Sequence, residues 1–385
     1  MSDAPFHLPA PLRGRVDLLI VAGEHSGDEH AAAMVRDLLA RQPSTSVAAL
    51  GGPQLAAAGA QLLHDMTASS VVGIVEVLKN YPFFKALFEE TLRWIARHRP
   101  RVVCFVDYPG LNLRLAAALR TRGLSRKGGG EIKTLYYISP QIWAWKAKRR
   151  FAIARDLDAM AVILPFEPAC YADTSLSPEF VGHPFVEPSY QSPVEYDPNG
   201  PILLLPGSRK QAVSRIFPVL LSGFRAFGQR DAIVLYPSRD ILDVLRVMSP
   251  PPTVRLVQIA ENRARAEPIA ASAVLTSSGT MSMHCALAGI PGAIAYRANP
   301  MTYLVGKMLV KVEYLGIANL LLGEPMYPEY IQNAATPAAL AKELRAAVQD
   351  SARRDRTAAQ AARLRALLSV PATGTASGWL LRLLQ

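Results

Sequence analysis

The sequence predicts an α/β protein of two domains, each built on a parallel sheet covered by helices on both faces. Three observations carry this. Short apolar runs ending in small or turn-forming residues alternate with helical segments through most of the chain. At 385 residues the chain exceeds the size at which one hydrophobic core stops growing. A proline-rich stretch without periodicity, residues 184–201, interrupts the alternation near its middle.

The elements follow in order. Arg15 to Ala22 reads as the first strand and the alanine-rich Glu29 to Arg41 as its helix. Strands are expected at Val47 to Leu50 and at Val102 to Val106, the latter followed by the turn Asp107-Tyr108-Pro109-Gly110 and a helix from Leu111 to Arg122. Thr134 to Ile138, Met160 to Leu164 and Phe180 to Val181 complete the first series. The second begins at Pro201 to Leu205 and continues through Ala232 to Tyr236, Val254 to Val257, Ala273 to Leu275 and Gly292 to Tyr296. From Thr336 onward the chain reads as helical. The expected domains are 1–185, a linker over 186–200, a second domain over 201–350, and a helical tail over 351–385 that packs back toward the first domain. Residues ahead of Arg15 read as a short disordered lead.

Composition narrows the function classes. Hydrophobic residues make up 50% and charged residues 19%, which excludes a disordered chain. A formal charge of +11 suits anionic partners: phosphorylated substrates, nucleic acid or an acidic membrane surface. Cys104, Cys170 and Cys285 lie far apart without a CxxC pair, against a disulfide framework or zinc site and for a reducing cytoplasm. The seven histidines show no HExxH pairing, so no metal centre is expected. Neither a GxxxxGK[ST] loop nor a GxGxxG fingerprint occurs. The N-terminus lacks the pattern of a secretory signal. The apolar stretch Met301 to Leu322 is broken by Lys307, Lys311 and Glu313, which argues against a membrane span.

Ligands of open parallel sheets bind beyond the carboxyl ends of the strands, so chemistry is sought in those loops. Gly23-Glu24-His25-Ser26-Gly27-Asp28 joins strand to helix; small residues admit a ligand to the backbone, the helix start favours an anion, and Glu24 and Asp28 can accept from sugar hydroxyls. Plain helix capping yields the same pattern. Asp107 ends a buried strand, where it serves either as a general base or as an N-cap or turn aspartate. Trp143 and Trp145 lie among Lys146, Lys148, Arg149, Arg150 and Arg155, a mixture that suits acidic lipid, phosphate or single-stranded nucleic acid, or simply a solvated basic helix with core tryptophans. In the second series, Leu205-Pro206-Gly207-Ser208-Arg209-Lys210 and Ser277-Ser278-Gly279-Thr280 each lead from strand to helix, placing hydroxyls, free amides and an arginine where a diphosphate would bind.

Taken together, AGEHSGD, GIVEVL, YYISPQIWAW, LPFEP, FVGHPF, LPGSR, SSGT, IAYR, LVKVEYLGIANLL and YIQ resemble the lipid-A-disaccharide synthase family from about Val16 to Thr336. The resemblance implies a GT-B fold, two Rossmann-like domains with parallel sheets facing across a cleft, acceptor on the first and UDP-sugar on the second. It implies an inverting hexosyltransferase that joins UDP-2,3-diacylglucosamine to 2,3-diacylglucosamine 1-phosphate, without cofactor or metal. Asp107 matches the family's essential aspartate. Arg209, Ser278, Gly279, Thr280, His284, Asn319 and Gln332 match the donor side, and Gly23, Glu24, Ser26, Gly27 and Glu76 the acceptor side. The partners implied are the UDP-sugar, the acylated sugar-phosphate and an anionic membrane surface, not nucleic acid, with a homodimer left open; the place implied is cytoplasmic, on the inner face of the inner membrane. The chain departs from the family pattern in three places. Gly110 replaces a second aspartate in the DAPDFN loop, Ala212 a glutamate after LPGSR, and His284 a glutamate after SGT, a position that in GT-B donor domains meets ribose. The alternatives are a UDP-N-acetylglucosamine 2-epimerase or another glycosyltransferase of this fold, and, outside enzymes, a basic protein that binds anionic lipid.

Overall fold

The computed structural model describes residues 6–67, 81–187, 190–228, 230–259, 267–299, 303 and 312–385. It divides into two compact units, Met1–Pro184 with Val370–Gln385, and Phe185–Ser369.

The first unit holds β1 (Leu18–Ala22), β2 (Val47–Gly51), β3 (Gln61–Asp65), β4 (Val102–Val106), β5 (Lys133–Tyr137), β6 (Ala159–Val162) and β7 (Glu179–Phe180). They form one parallel sheet in the order β3-β2-β1-β4-β5-β6-β7. The central strands are continuous apolar runs because both faces are covered. Leu19, Val21, Val103 and Phe105 enter one core, while Leu18, Ile20, Ala22, Val102, Cys104 and Val106 enter the other. The last helix, Ala376–Leu384, closes that second face with Trp379, Leu380 and Leu384, and its Ser377 hydroxyl bonds Asp37 of the helix His25–Arg41.

Two expectations are corrected. The segment from Phe6 is docked rather than disordered: the Leu8 amide donates to Glu90, the Trp94 indole to the Pro9 carbonyl at 2.8 Å, and Gln61 bonds both Ala10 and Leu12. With Pro9 and Pro11 it forms no element of its own, and side chains of the domain satisfy its backbone instead. The proline-rich stretch read as a linker also contains a strand, β8 (Val194–Tyr196). It pairs in parallel with β12 (Ile269–Ala271) because Val194, Ile269 and Ala271 are buried together.

The second unit's main sheet contains β9 (Ile202–Leu205), β10 (Ala232–Tyr236), β11 (Val254–Gln258), β13 (Ala273–Thr276), β14 (Gly292–Tyr296) and β15 (Glu329–Ile331). All are parallel, in the order β11-β10-β9-β13-β14-β15. The helix Lys210–Phe227 lays Val213, Phe217, Leu220 and Phe224 on this sheet beside Leu340 and Leu344 of the helix Pro337–Gln349. Thr336 caps the latter by accepting from the Ala339 amide at 3.2 Å. In each unit the strand order reverses direction once, between β1 and β4 and between β9 and β13. Those two reversals are where an open parallel sheet parts its loops to admit a ligand.

Candidate active site

The motif loops of the first unit meet at the β1/β4 reversal. Gly23 leaves β1 against the ring of Tyr108, so closely that a Cβ there would lie 2.1 Å from Tyr108 Cδ1. Only glycine permits that approach. Asp107 leaves β4 on the other side. Asp107 and Tyr108 both adopt left-handed backbone, with φ 46° and 47°, at a cost of about 1–3 kcal/mol each. Neighbours hold the turn in place. The Asp107 amide donates to Tyr137 at 3.0 Å, and its carbonyl accepts from Asn112 Nδ2 at 2.8 Å and the Tyr136 hydroxyl at 2.5 Å. Asn112 is fully buried and also reaches the carbonyls of Val21 and Val106, both at 3.2 Å, tying the ends of β1 and β4 together. The N-cap of the helix Pro109–Thr121 is Tyr108, so Asp107 stands one residue ahead of that helix.

The acceptor-side candidates divide. Glu24 and Ser26 are half-buried at the start of the helix His25–Arg41, and Gly27 is buried beneath them against Val106. All stand on the β1 side of the same reversal as Asp107. Asp28 is withdrawn from ligand chemistry: it is buried and accepts from the amides of Gly52, Gln54 and Leu55 at 2.8, 3.0 and 3.2 Å, capping the helix Pro53–Ala57. Glu76, in GIVEVL, lies outside the described residues.

A second carboxyl near Asp107 escaped the sequence reading. Glu167, in LPFEP, is 3% exposed, and accepts from the Leu164 amide at 3.0 Å and the Trp143 indole at 3.4 Å. Burial pushes its carboxyl up to about 7; these donors oppose the rise and the negative charge of Asp107 adds to it. The Tyr136 hydroxyl is held well above its ordinary value, by burial first and then by Asp107, and so remains a neutral donor. The sequence signal for Glu167 was a carboxylate between Phe166 and Pro168, just past a buried strand.

The tryptophan cluster resolves into two parts. Trp143 is half-buried and packs edge-on against Phe166 at 5.5 Å. Trp145 and Phe151 are exposed and carry cations over their rings: Lys146 at 4.4 Å and Arg149 at 5.1 Å from Trp145, Arg150 at 4.5 Å from Phe151.

In the second unit the two phosphate-type loops meet at the β9/β13 reversal. The Ser277 amide donates to Leu205 at 2.8 Å, and a Cβ on Gly207, whose φ is 108°, would lie 3.3 Å from Ser277 Oγ. Arg209 is exposed at the N-cap of the helix Lys210–Phe227; Ser278 is half-buried, and Gly279 and Thr280 are exposed at the start of the helix Thr280–Leu287. Two helix starts therefore adjoin at this reversal, one of them with an exposed arginine at its N-cap, an arrangement suited to a diphosphate.

The remaining donor-side candidates are engaged within the fold. Asn319 is fully buried: Nδ2 donates to the Tyr327 carbonyl at 2.7 Å and Glu329 at 2.9 Å, while Oδ1 accepts from the Tyr327 amide at 2.9 Å. Gln332, with φ 54°, accepts from the Ala298 amide at 2.8 Å and donates to the Ala298 carbonyl at 3.2 Å. His284 is 3% exposed, its ring centroid 4.0 Å from that of Phe185, with Nδ1 hydrogen-bonded to the Tyr190 hydroxyl. Among the described residues no group of three histidine, cysteine or acidic side chains could hold a metal, and no helix is long and apolar enough to cross a membrane.

Comparison with known proteins adds three findings. The family model for lipid-A-disaccharide synthetase matches residues 18–372. Lipid-A-disaccharide synthase of Geobacter metallireducens is 34% identical over 360 residues, covering 90% of this chain and 92% of that protein, and its counterpart in Trichlorobacter lovleyi is 36% identical over 350 residues, covering 87% and 88%. Among solved structures, the glycotransferase of kitacinnamycin superposes with a TM-score of 0.55 at 16% identity, over 98% of this chain and 100% of that one. A protein described as a UDP-N-acetylglucosamine 2-epimerase, from Listeria monocytogenes, gives 0.60 at 11% identity over 95% of both chains. At such identities the structural likeness establishes the GT-B fold and not the reaction.

Proposed function

Because this chain belongs to the lipid-A-disaccharide synthase family, a family of glycosyltransferases, we propose that it condenses UDP-2,3-diacylglucosamine with 2,3-diacylglucosamine 1-phosphate, with inversion, giving the β-1,6-linked disaccharide and UDP. Asp107 takes the proton of the acceptor 6-hydroxyl while that oxygen bonds to the anomeric carbon of the donor. The bond from this carbon to UDP breaks, and its electron pair leaves on the diphosphate. Arg209 and the amides at Ser278, Gly279 and Thr280 stabilise that developing charge. Gly23, Glu24, Ser26 and Gly27 hold the acceptor beside Asp107, and Glu76 joins them on the resemblance alone. Asn319 and Gln332 serve the donor side by fixing backbone, and His284 by packing against Phe185 and Tyr190 in place of a ribose contact.

The observation that carries this reading is the turn at Asp107. Two consecutive non-glycine residues in left-handed backbone, held at a strand-order reversal against Gly23, fix the backbone that carries the carboxylate, at a cost of about 1–3 kcal/mol each. The exposed Trp145 and Phe151 among Lys146, Arg149 and Arg150 support attachment to an anionic membrane from the cytoplasmic side, at the inner face of the inner membrane. The test is incubation with both acylated substrates, following UDP release and the disaccharide by mass spectrometry. Absence of disaccharide would refute the substrate assignment. In Asp107→Ala turnover should vanish while UDP affinity, measured by calorimetry, stays within about twofold, because a general base acts in the transition state. Turnover within about tenfold of the parent would refute the role of Asp107.

A further inference from the structure

The carboxyl ends of the first unit's strands carry the candidate active site; their amino ends, on the opposite rim of the sheet, carry a basic pocket that the reaction does not use. The strands are parallel, so the segments that lead into β1, β4 and β5 meet on that rim. Arg15 stands ahead of β1, Arg99 and Arg101 ahead of β4, Arg126 ahead of β5, and Lys133 opens β5. With Glu131 and the end of the last helix they line a cavity of about 230 Å³. A space of this size holds several waters, at about 30 Å³ each, and falls short of the roughly 300–1,000 Å³ that drug-sized ligands take. It suits a small anion.

The fold itself accounts for two of these cations. Arg101 donates to the Leu384 carbonyl at 2.6 Å and Lys133 to that of Leu383, closing the end of the last helix, and Arg101 also pairs with Asp17 at 3.5 Å. Arg15, Arg99 and Arg126 are exposed and make no ion pair among the described residues. Among the described residues lining the cavity, Glu131 is the only carboxylate side chain. The crowding registers on Lys133, whose ammonium is held below its ordinary value by burial first, then by Arg126 and by Arg101, with Asp158 opposing. Two of the arginines are also held by their backbone. Arg126 opens a turn packed so closely that a Cβ on Gly128 would lie 2.1 Å from the Arg120 carbonyl oxygen, and its amide donates to Ile132 at 2.9 Å. Arg99 follows the helix Tyr81–His98 in left-handed backbone, with φ 43°, a position that glycine ordinarily fills.

We propose that this pocket is an anion site apart from the candidate active site, taking a phosphate or diphosphate group between Arg15, Arg99 and Arg126 while Arg101 and Lys133 hold its wall. Arginine supplies planar forks of donors that match phosphate oxygens in pairs, and an anion seated here offsets the repulsion among the cations. The group recognised is the same whether a free phosphate or a lipid headgroup bears it. Because the pocket opens on the rim opposite Asp107, a ligand there does not displace the acceptor.

The probes are inorganic phosphate, pyrophosphate, and phosphatidylcholine vesicles with or without phosphatidic acid at about a fifth of the lipid. The protein titrated is Arg209→Gln, so that the phosphate-type loops of the second unit contribute little. Calorimetry should show pyrophosphate binding that weakens as salt rises, and that weakens about tenfold or more when Arg99→Gln and Arg126→Gln are added. Adding Arg225→Gln and Arg246→Gln instead removes the same charge from exposed residues of the second unit and should leave binding unchanged. Soluble anions that bind in this way assign the site to a free phosphate. Binding confined to vesicles with phosphatidic acid, and lost with Arg99 and Arg126, assigns it to a lipid headgroup. Binding that ignores Arg99 and Arg126, or that falls equally with Arg225 and Arg246, overturns the proposal, as does the absence of binding to every probe. Should the Arg99 and Arg126 pair fail to fold by circular dichroism, Arg15→Gln alone takes its place in the same comparison.

Discussion

Replacing Glu167 with glutamine should stabilise the first unit above pH 7 and change little in acid. Burial holds the carboxyl at about 7 against an ordinary 4.5, and at about 1.4 kcal/mol per unit the cost of ionising it in the folded chain is about 3 kcal/mol. The unfolded chain gives up this proton near 4.5, and the folded chain keeps it until about 7. The stabilisation it represents is therefore present below 4.5 and is lost as pH rises to about 7. His183, in the same unit, acts in the opposite sense. Burial, and then the like charge of His30, holds its ring down from 6.5 to about 3, so its contribution is present above 6.5 and is lost as pH falls. Between 4.5 and 6.5 the two slopes, each about 1.4 kcal/mol per pH unit, oppose one another in the parent. Glu167→Gln removes the opposing slope, so on acidification from 6.5 to 4.5 the variant should lose about 3 kcal/mol more than the parent. Urea unfolding followed by tryptophan fluorescence reads this unit alone, because Trp94, Trp143, Trp145 and Trp379 all belong to it. A stability difference between parent and variant that is equal at pH 5 and pH 8 would refute the reasoning.

Asp28→Ala strips the cap from three amides, two of them in buried residues, and should destabilise the first unit by about 3 kcal/mol in the same urea experiment; a loss below about 1 kcal/mol would contradict the capping role. For His284, engaged with Tyr190 and Phe185, UDP calorimetry from about pH 8 to 6 should give the same profile in the parent and in His284→Gln. A parent affinity that falls on acidification where the variant's does not would restore the ribose contact implied by the family pattern, and one that rises would point to pairing with phosphate. Cosedimentation with anionic liposomes should weaken as salt rises and weaken further in Arg149→Gln with Arg150→Gln; binding indifferent to lipid charge and ionic strength would exclude the aromatic and cationic face as an attachment surface.

The sheets were legible where a strand is buried on both faces. Val102–Val106, Ala232–Tyr236 and Gly292–Tyr296 are continuous apolar runs between turn signals, and they form strands with those bounds. Gln61–Asp65 and Glu329–Ile331 were missed because they lie at sheet edges, half-buried and mixed in polarity. The positions of the candidate loops were legible too, since strand-end placement follows from the alternation of elements. What their polar side chains bond to was not. Asp28 caps residues 52–55, Asn319 bonds Tyr327 and Glu329, and Gln332 bonds Ala298. Each partner is distant in sequence, so a side chain engaged with backbone and one offered to a ligand look alike until the chain is folded.

Asp107 shows where the missing information lay. Pro109 disfavours right-handed helix at Tyr108, so the helix does not take in the end of β4. A left-handed pair is costly unless its backbone is held, and the group that holds it comes from the first turns of the same helix. The Asn112 amide returns to the Asp107 carbonyl and extends to Val21 and Val106. Gly110 does not take part, for a Cβ there would meet nothing within 4 Å. The departure from the family's second aspartate therefore leaves the turn intact, and the pattern that fixes the carboxylate is an aspartate at a strand end, a proline two residues on and an asparagine three beyond that.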